Sequence, residues 1–195
     1  TTRFCVFFAL ALHAYIMKDL DDAARASSKC GELLSAVPAT MLQWGQNLFE
    51  SLILLAQPPE LEQEQKSRVE ENLARLKTYA AASPESFRSR CLLVEGELAR
   101  REGNPLLALE RYDAAIEHAE SKGYVHEVAI ASERAAELLL ELGRKKSAGP
   151  YLLDALDAYA RWEARAKVAQ LREEHAEFLA SSSTRRASLP WTHEE

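Results

Sequence analysis

Among side chains able to do chemistry, His126 and Glu127 stand next to each other in a helical stretch, like the first half of a zinc-binding His-Glu-x-x-His motif. The second histidine belongs at position 130, which is Ile130, so the two-imidazole metal site is incomplete. His118 and His175 lie among charged helical residues, a setting for solvated or partly packed imidazoles rather than for ligands or phosphoacceptors. The sequence has no glycine-rich phosphate loop, no Gly-x-Ser-x-Gly elbow and no metal-ligand spacing. It therefore assigns no catalytic residue, metal or cofactor and points away from an enzyme.

The informative spacing belongs to packing residues. Gly96, Ala108, Tyr112 and Ala115 are each followed forty residues later by Ala136, Ala148, Leu152 and Ala155. That is the spacing of a tetratricopeptide-like helix pair. Gly96 or Ala136 lets the second helix approach, Ala108 or Ala148 packs against it, and Tyr112 or Leu152 fills the space between pairs. The same offsets recur as Ala11, Ala23, Ser27 and Cys30, behind the helix-opening string Asp19-Leu20-Asp21-Asp22.

Breakers and apolar periodicity place helices at about 3–17, 20–36, 40–56, 60–82, 85–102, 105–121, 124–142, 144–162 and 164–180. Gly103-Asn104-Pro105 is a helix stop, a cap and a first-turn proline in succession. Pro150 is expected to bend the first turns of the eighth helix. The stretch 39–82 does not follow the repeat offsets, although its two helices can stack as a longer pair. The fold class expected is an all-α, right-handed solenoid of antiparallel helix pairs with about nine helices. It would occupy 1–180 as a fragment of a larger protein, with 181–195 as a disordered tail or linker.

Composition agrees with this reading. Hydrophobic residues make up 47% of the 195 positions, while Gly and Pro number only seven each, which is an all-helical profile with enough apolar side chain for a core. A net charge of −6 argues against nucleic acid or an anionic membrane as the main partner. Cys5, Cys30 and Cys91 are odd in number and far apart on apolar faces, as expected for reduced core thiols in a cytoplasmic protein. Phe4 to Leu12 behind Arg3 has the look of a signal-peptide core. It is too short to span a membrane, and its helical continuation to Met17 favours a first buried helix.

Several segments together resemble one family. They are Leu48-Phe49-Glu50-Ser51-Leu52, Val69-Glu70-Glu71-Asn72-Leu73, Pro84-Glu85-Ser86-Phe87 and Leu92 to Arg100, then Tyr112 to Ile116, Tyr151-Leu152 and Tyr159-Ala160-Arg161-Trp162. In this order they resemble the helical segment of very large sensor histidine kinases of bacteria and fungi. Those proteins combine a protein-kinase-like domain, an AAA-type ATPase module, this stretch, a GAF domain and a histidine kinase. The resemblance implies a non-catalytic interaction and signal-coupling module in two-component signalling. Glu163 stands where that family usually has Gly, so the helix end there is expected to blur into a continuous helix. Gly149-Pro150 replaces better helix formers, and Ser86 stands where Asn is common.

In such an array the first helix of each pair builds the inner surface. By register these positions are Arg90, Glu97, Arg100 and Arg101, then Glu133, Glu137 and Glu141. A basic strip beside an acidic strip would clamp an extended peptide or a neighbouring domain by complementary charge. Ordinary solvated charges and i,i+4 pairs, worth about 0.3 kcal/mol each, would look the same in sequence. The Lys/Asn-rich clamp used by chaperone-tail binders is missing, and a small-molecule ligand is not expected. In the tail, Arg185-Arg186-Ala187-Ser188-Leu189 resembles a site for basophilic kinases, which makes Ser188 a candidate phosphoacceptor. The alternative to the sensor-kinase reading is a peptide-binding adaptor, or a module of an ATPase-linked transcription regulator.

Overall fold

The computed structural model describes residues 1–37, 41–57, 61–176 and 178–179, and within them the chain is entirely helical. The helices are α1 (Thr2–Ile16), α2 (Leu20–Glu32), α3 (Met41–Ala56), α4 (Gln63–Ala82) and α5 (Pro84–Arg101). They continue as α6 (Pro105–Lys122), α7 (Val125–Glu141), α8 (Lys145–Arg161) and α9 (Arg165–Glu174), with a short 3-10 turn at Leu34–Ala36. Successive helices pair as antiparallel hairpins and each pair stacks on the next, α2 on α3, α4 on α5, α6 on α7 and α8 on α9. This is a helical-repeat solenoid. The pair α3 and α4, which breaks the sequence offsets, takes its place in the stack.

One turn geometry joins the helices and sets their period. At Gly103, Gly123 and Gly143 the chain turns left-handed, with φ between 70 and 74°. In each turn the next amide reaches back to the last helical turn, as Asn104 N does to Ala99 O at 2.9 Å. Glu163 adopts the same turn with φ of 61°, and Ala164 N donates to Tyr159 O at 3.0 Å. The expected blurring of α8 into a continuous helix is thus corrected. The backbone amides terminate the helix without a glycine, at the cost of a left-handed conformation that side chains resist. Lys18, with φ of 64°, repeats this turn between α1 and α2.

Other boundaries have local causes. The Asp19 side chain accepts from Asp22 N, and that of Asn104 accepts from Leu107 N. Glu62 and Gln65 form a reciprocal capping box, so α4 starts at Gln63. The second helix ends at Glu32, short of the expected 36, because the chain tightens into the 3-10 turn. The ninth runs to Glu174, turns at His175 and is helical again at 176 and 178–179, where Leu179 N donates to His175 O at 3.0 Å. Pro150 lies inside an unbroken α8, against the expected loosening. The tail 181–195, with Ser188, lies outside the described residues.

The core is one cluster running from Ala11 to Leu171, with a smaller one around Phe4, Cys30 and Val37. A fully buried Leu, Ile or Phe here contributes about 2 kcal/mol. Trp44 meets Phe87 edge to face at 5.0 Å between centroids, which ties α3 to α5. Gly96 has the role its spacing implied, although its close neighbour is Tyr112: a Cβ at 96 would lie 2.6 Å from the ring. Cys30 and Cys91 are buried, and burial pushes both thiols up to about 11. Cys5 is exposed, which corrects its placement in the core.

Candidate interaction groove

Helix α7 is buried over most of its length, yet it carries Glu133, Arg134 and Glu137. Charges so placed require partners. Arg134 reaches α5, where Nε lies 2.8 Å from Glu97 Oε1 and Nη2 lies 2.9 Å from Oε2. Tyr112 of α6 donates to the same carboxylate at 2.6 Å. Burial raises the Glu97 pKa, but the Arg134 guanidinium and these hydrogen bonds outweigh it and hold the carboxyl below its usual range. The reciprocal effect lifts Arg134 well above its ordinary value, and burial followed by the Glu97 charge pushes the Tyr112 hydroxyl up.

The network extends along α7. Arg134 Nη1 also meets Glu137 at 2.8 Å, and Arg100 spans from Glu137, at 3.6 Å, to Glu141. Glu133 accepts from Tyr159 of α8 at 2.7 Å and faces Lys167 of α9 at 2.7 Å. Lys167 is itself buried, and that burial keeps its pKa below the ordinary value despite Glu133.

The far end of the stack meets the near one here. Lys18, at the end of α1, lies 3.3 Å from Glu133, 2.9 Å from Glu137 and 3.2 Å from Glu174. Burial opposes its charge, but Glu137 and Glu133 prevail and raise its pKa. Gln170 of α9 donates to Met17 O at 3.4 Å, a further contact across this closure. Between them Tyr15, Lys18, Glu133, Arg134, Glu137 and Tyr159 border a void of about 20 Å³. The buried Tyr15 hydroxyl has no hydrogen-bond partner among the described residues.

All seven residues expected on the inner surface therefore engage groups of the chain itself. Glu97, Arg100, Glu133, Glu137 and Glu141 form the linked network. Arg90 sits apart, 2.8 Å from Glu127 and over the rings of Phe87 and Tyr124. Arg101 donates to Leu55 O and Gln57 O, both at 2.7 Å, and so caps the end of α3. The basic and acidic strips lie across α5 and α7 as paired charges, with Glu141 at the exposed rim. Sequence reasoning missed Arg134, Tyr112, Tyr159, Lys18 and Lys167 as members. The available signal was the Ser132-Glu133-Arg134 triplet inside an apolar run from Val128 to Leu140, where a surface helix would show a polar stripe.

Among the described residues no cluster of His, Cys, Asp and Glu suits a metal ion, and none of the helices is long and apolar enough to cross a membrane. His126 packs on Trp162 at 5.7 Å between ring centroids. No curated protein and no solved structure matches the chain. The model of the CHK1-like TPR repeats does match, over residues 1–181. Tetratricopeptide repeats mediate protein–protein contacts, and this repeat module is non-catalytic. With its paired helices, its recurrent turns and that match over nearly its whole length, the chain belongs to the family of CHK1-like TPR repeats.

Proposed function

We propose that residues 1–180 form a cytoplasmic interaction and signal-coupling module of a multidomain sensor histidine kinase in two-component signalling, linking an ATPase module to sensory and kinase domains. The observation that carries this reading is the closure of Lys18 onto Glu133, Glu137 and Glu174, which ties the first helix to the seventh and ninth. A module with its ends joined transmits a displacement at one end to the other, because its pairs cannot shift independently. On this reading Glu97, Arg100, Glu133 and Glu137 hold the module in one shape, Arg90 and Arg101 fix local packing, and Glu141 at the rim meets a neighbouring domain.

The same pairing supports the coupling role over a peptide clamp, which needs inner-face charges free to meet a ligand. The test has two parts. Reading the full open reading frame on both sides of Thr1 and Glu195 should find a phosphate-loop ATPase module and a histidine phosphoacceptor domain; a DNA-binding helix-turn-helix instead would favour the transcription-regulator alternative and overturn the proposal. In the full-length kinase, Lys18→Glu should then alter stimulus-dependent autophosphorylation, and an unchanged response would remove the coupling role. Ser188 is proposed as a phosphoacceptor, and phosphopeptide mass spectrometry of the native protein that finds it unmodified under every stimulus would end that proposal.

A further inference from the structure

The closure that joins α1 to α7 and α9 encloses the cavity of about 20 Å³ described above. Its wall is mostly polar. Tyr15 comes from α1 and Lys18 from the turn that follows, Glu133, Arg134 and Glu137 come from α7 and Tyr159 from α8, while Ile16 and Ile130 contribute apolar side chains. The Tyr15 side chain is buried, and its hydroxyl has no hydrogen-bond partner among the described residues. That hydroxyl faces the charged network: burial pushes its pKa up, and the charges it feels are those of Arg134, Glu97, Glu137 and Glu133. On the α7 side the Glu133 carboxylate is only half satisfied. Its Oε2 accepts from Tyr159 at 2.7 Å, whereas Oε1, an ion-pair partner of Lys18 at 3.3 Å and of Lys167 at 2.7 Å, accepts no hydrogen bond of good geometry. A donor in need of an acceptor thus shares one buried cavity with an acceptor in need of a donor.

We propose that this cavity is the binding site of one internal water molecule, which accepts from the Tyr15 hydroxyl and donates to Glu133 Oε1. Its second hydrogen meets a further acceptor of the wall, where Glu137 and Tyr159 each offer one. Size selects the ligand first, since a water needs about 15 Å³ of such space and nothing much larger fits. Charge selects it next. A cation would meet the Lys18 ammonium and the Arg134 guanidinium, and an anion would meet the Glu133 and Glu137 carboxylates. A neutral dipole that both donates and accepts fits where an ion of either sign is repelled. The water ties α1 to α7 through Tyr15, beside the direct contacts of Lys18, and satisfies a hydroxyl that those contacts leave unpaired.

The test counts long-lived waters in the intact chain by magnetic relaxation dispersion of the water oxygen, which responds to the water itself and not to protons exchanged from side chains. Tyr15→Phe removes the donor and should lower the dispersion amplitude by the share of one water. Its fold should persist, because the entropy regained by the released water offsets the lost bond. Tyr151→Phe, which removes an exposed hydroxyl bonded to Asp113, should leave the amplitude unchanged. In the wild-type chain, nuclear Overhauser effects between water and the Ile16 and Ile130 methyl groups should carry the sign of an immobilised water, and they locate it should the Tyr15 variant fold poorly. An amplitude unchanged by Tyr15→Phe, or methyl groups without such effects, would each overturn the proposal. So would an amplitude that falls as sodium chloride is added, since the occupant would then be an ion. The readout concerns the chain alone, so its result is separate from that of the sensor-kinase reading.

Discussion

Arg134 and Glu97, on different helices and thirty-seven residues apart, form a two-point clamp in the interior, with Nε and Nη2 of one on Oε1 and Oε2 of the other. Removing one partner leaves the other buried and charged. Glu97→Ala or Arg134→Ala should each cost about 3 kcal/mol, read as a lower urea midpoint. The double variant Glu97→Met/Arg134→Met should lose much less than the sum of the two alanine variants, because no orphaned charge remains.

Acid should act first on these carboxylates. Glu97 and Glu137 are both held below the usual range in the fold, by burial outweighed by Arg134 and, for Glu137, also by Lys18. The native state thus binds fewer protons than the unfolded state, and their stabilisation, complete above the unfolded carboxyl pKa of about 4.3, is lost as pH falls through the folded values. Glu50 has the opposite sign, since burial raises its pKa despite the 2.8 Å hydrogen bond from Asn72. Its penalty appears as pH rises, so Glu50→Gln should stabilise the chain at pH 7 and change little at pH 4 in thermal melts.

Glu163→Gly should raise stability by about 1 kcal/mol, or about 3 °C in melting temperature, because glycine adopts the left-handed turn freely. Lys18→Gly removes the same strain yet should give no gain, since the ammonium that contacts three carboxylates goes with it. A stabilised Lys18→Gly protein would show that the closure contributes nothing.

Gly96→Ala should cost about 2 kcal/mol through the clash with the Tyr112 ring. Adding Tyr112→Leu reproduces the Ala136 and Leu152 combination of the next repeat and should relieve most of that clash, so the pair should be less damaging than the sum of the singles in chemical denaturation.

Tyr15→Phe should be neutral or stabilising by less than about 1 kcal/mol, since it removes a buried hydroxyl without a hydrogen-bond partner among the described residues. A large loss in a calorimetric melt would mean that the hydroxyl is bound within the adjoining void.

Helix pairing was legible because glycines, Asn104 and the prolines punctuate the chain at the repeat spacing, and alanines mark the close approaches. Glu163 was misread because residue type alone cannot reveal that backbone amides, bonded back to Tyr159 and Ala160, hold the same turn without glycine. The seven candidate charges lie on α5 and α7, but their partners were not legible in the sequence. Contacts such as Glu97 with Arg134 join adjacent stacked pairs, and the meeting of Lys18 with Glu174 depends on small rotations accumulated over the whole stack. Local periodicity carries no record of that sum.

A stack of helix pairs with free ends frays one pair at a time, and its outermost helices exchange their amides long before its centre does. In this chain the first helix is bound to the seventh and ninth, so opening either end requires breaking contacts at the other. The usual gradient of protection from the middle outward gives way to a single cooperative unit, and force applied to the two ends meets a buckle that holds until its charges part.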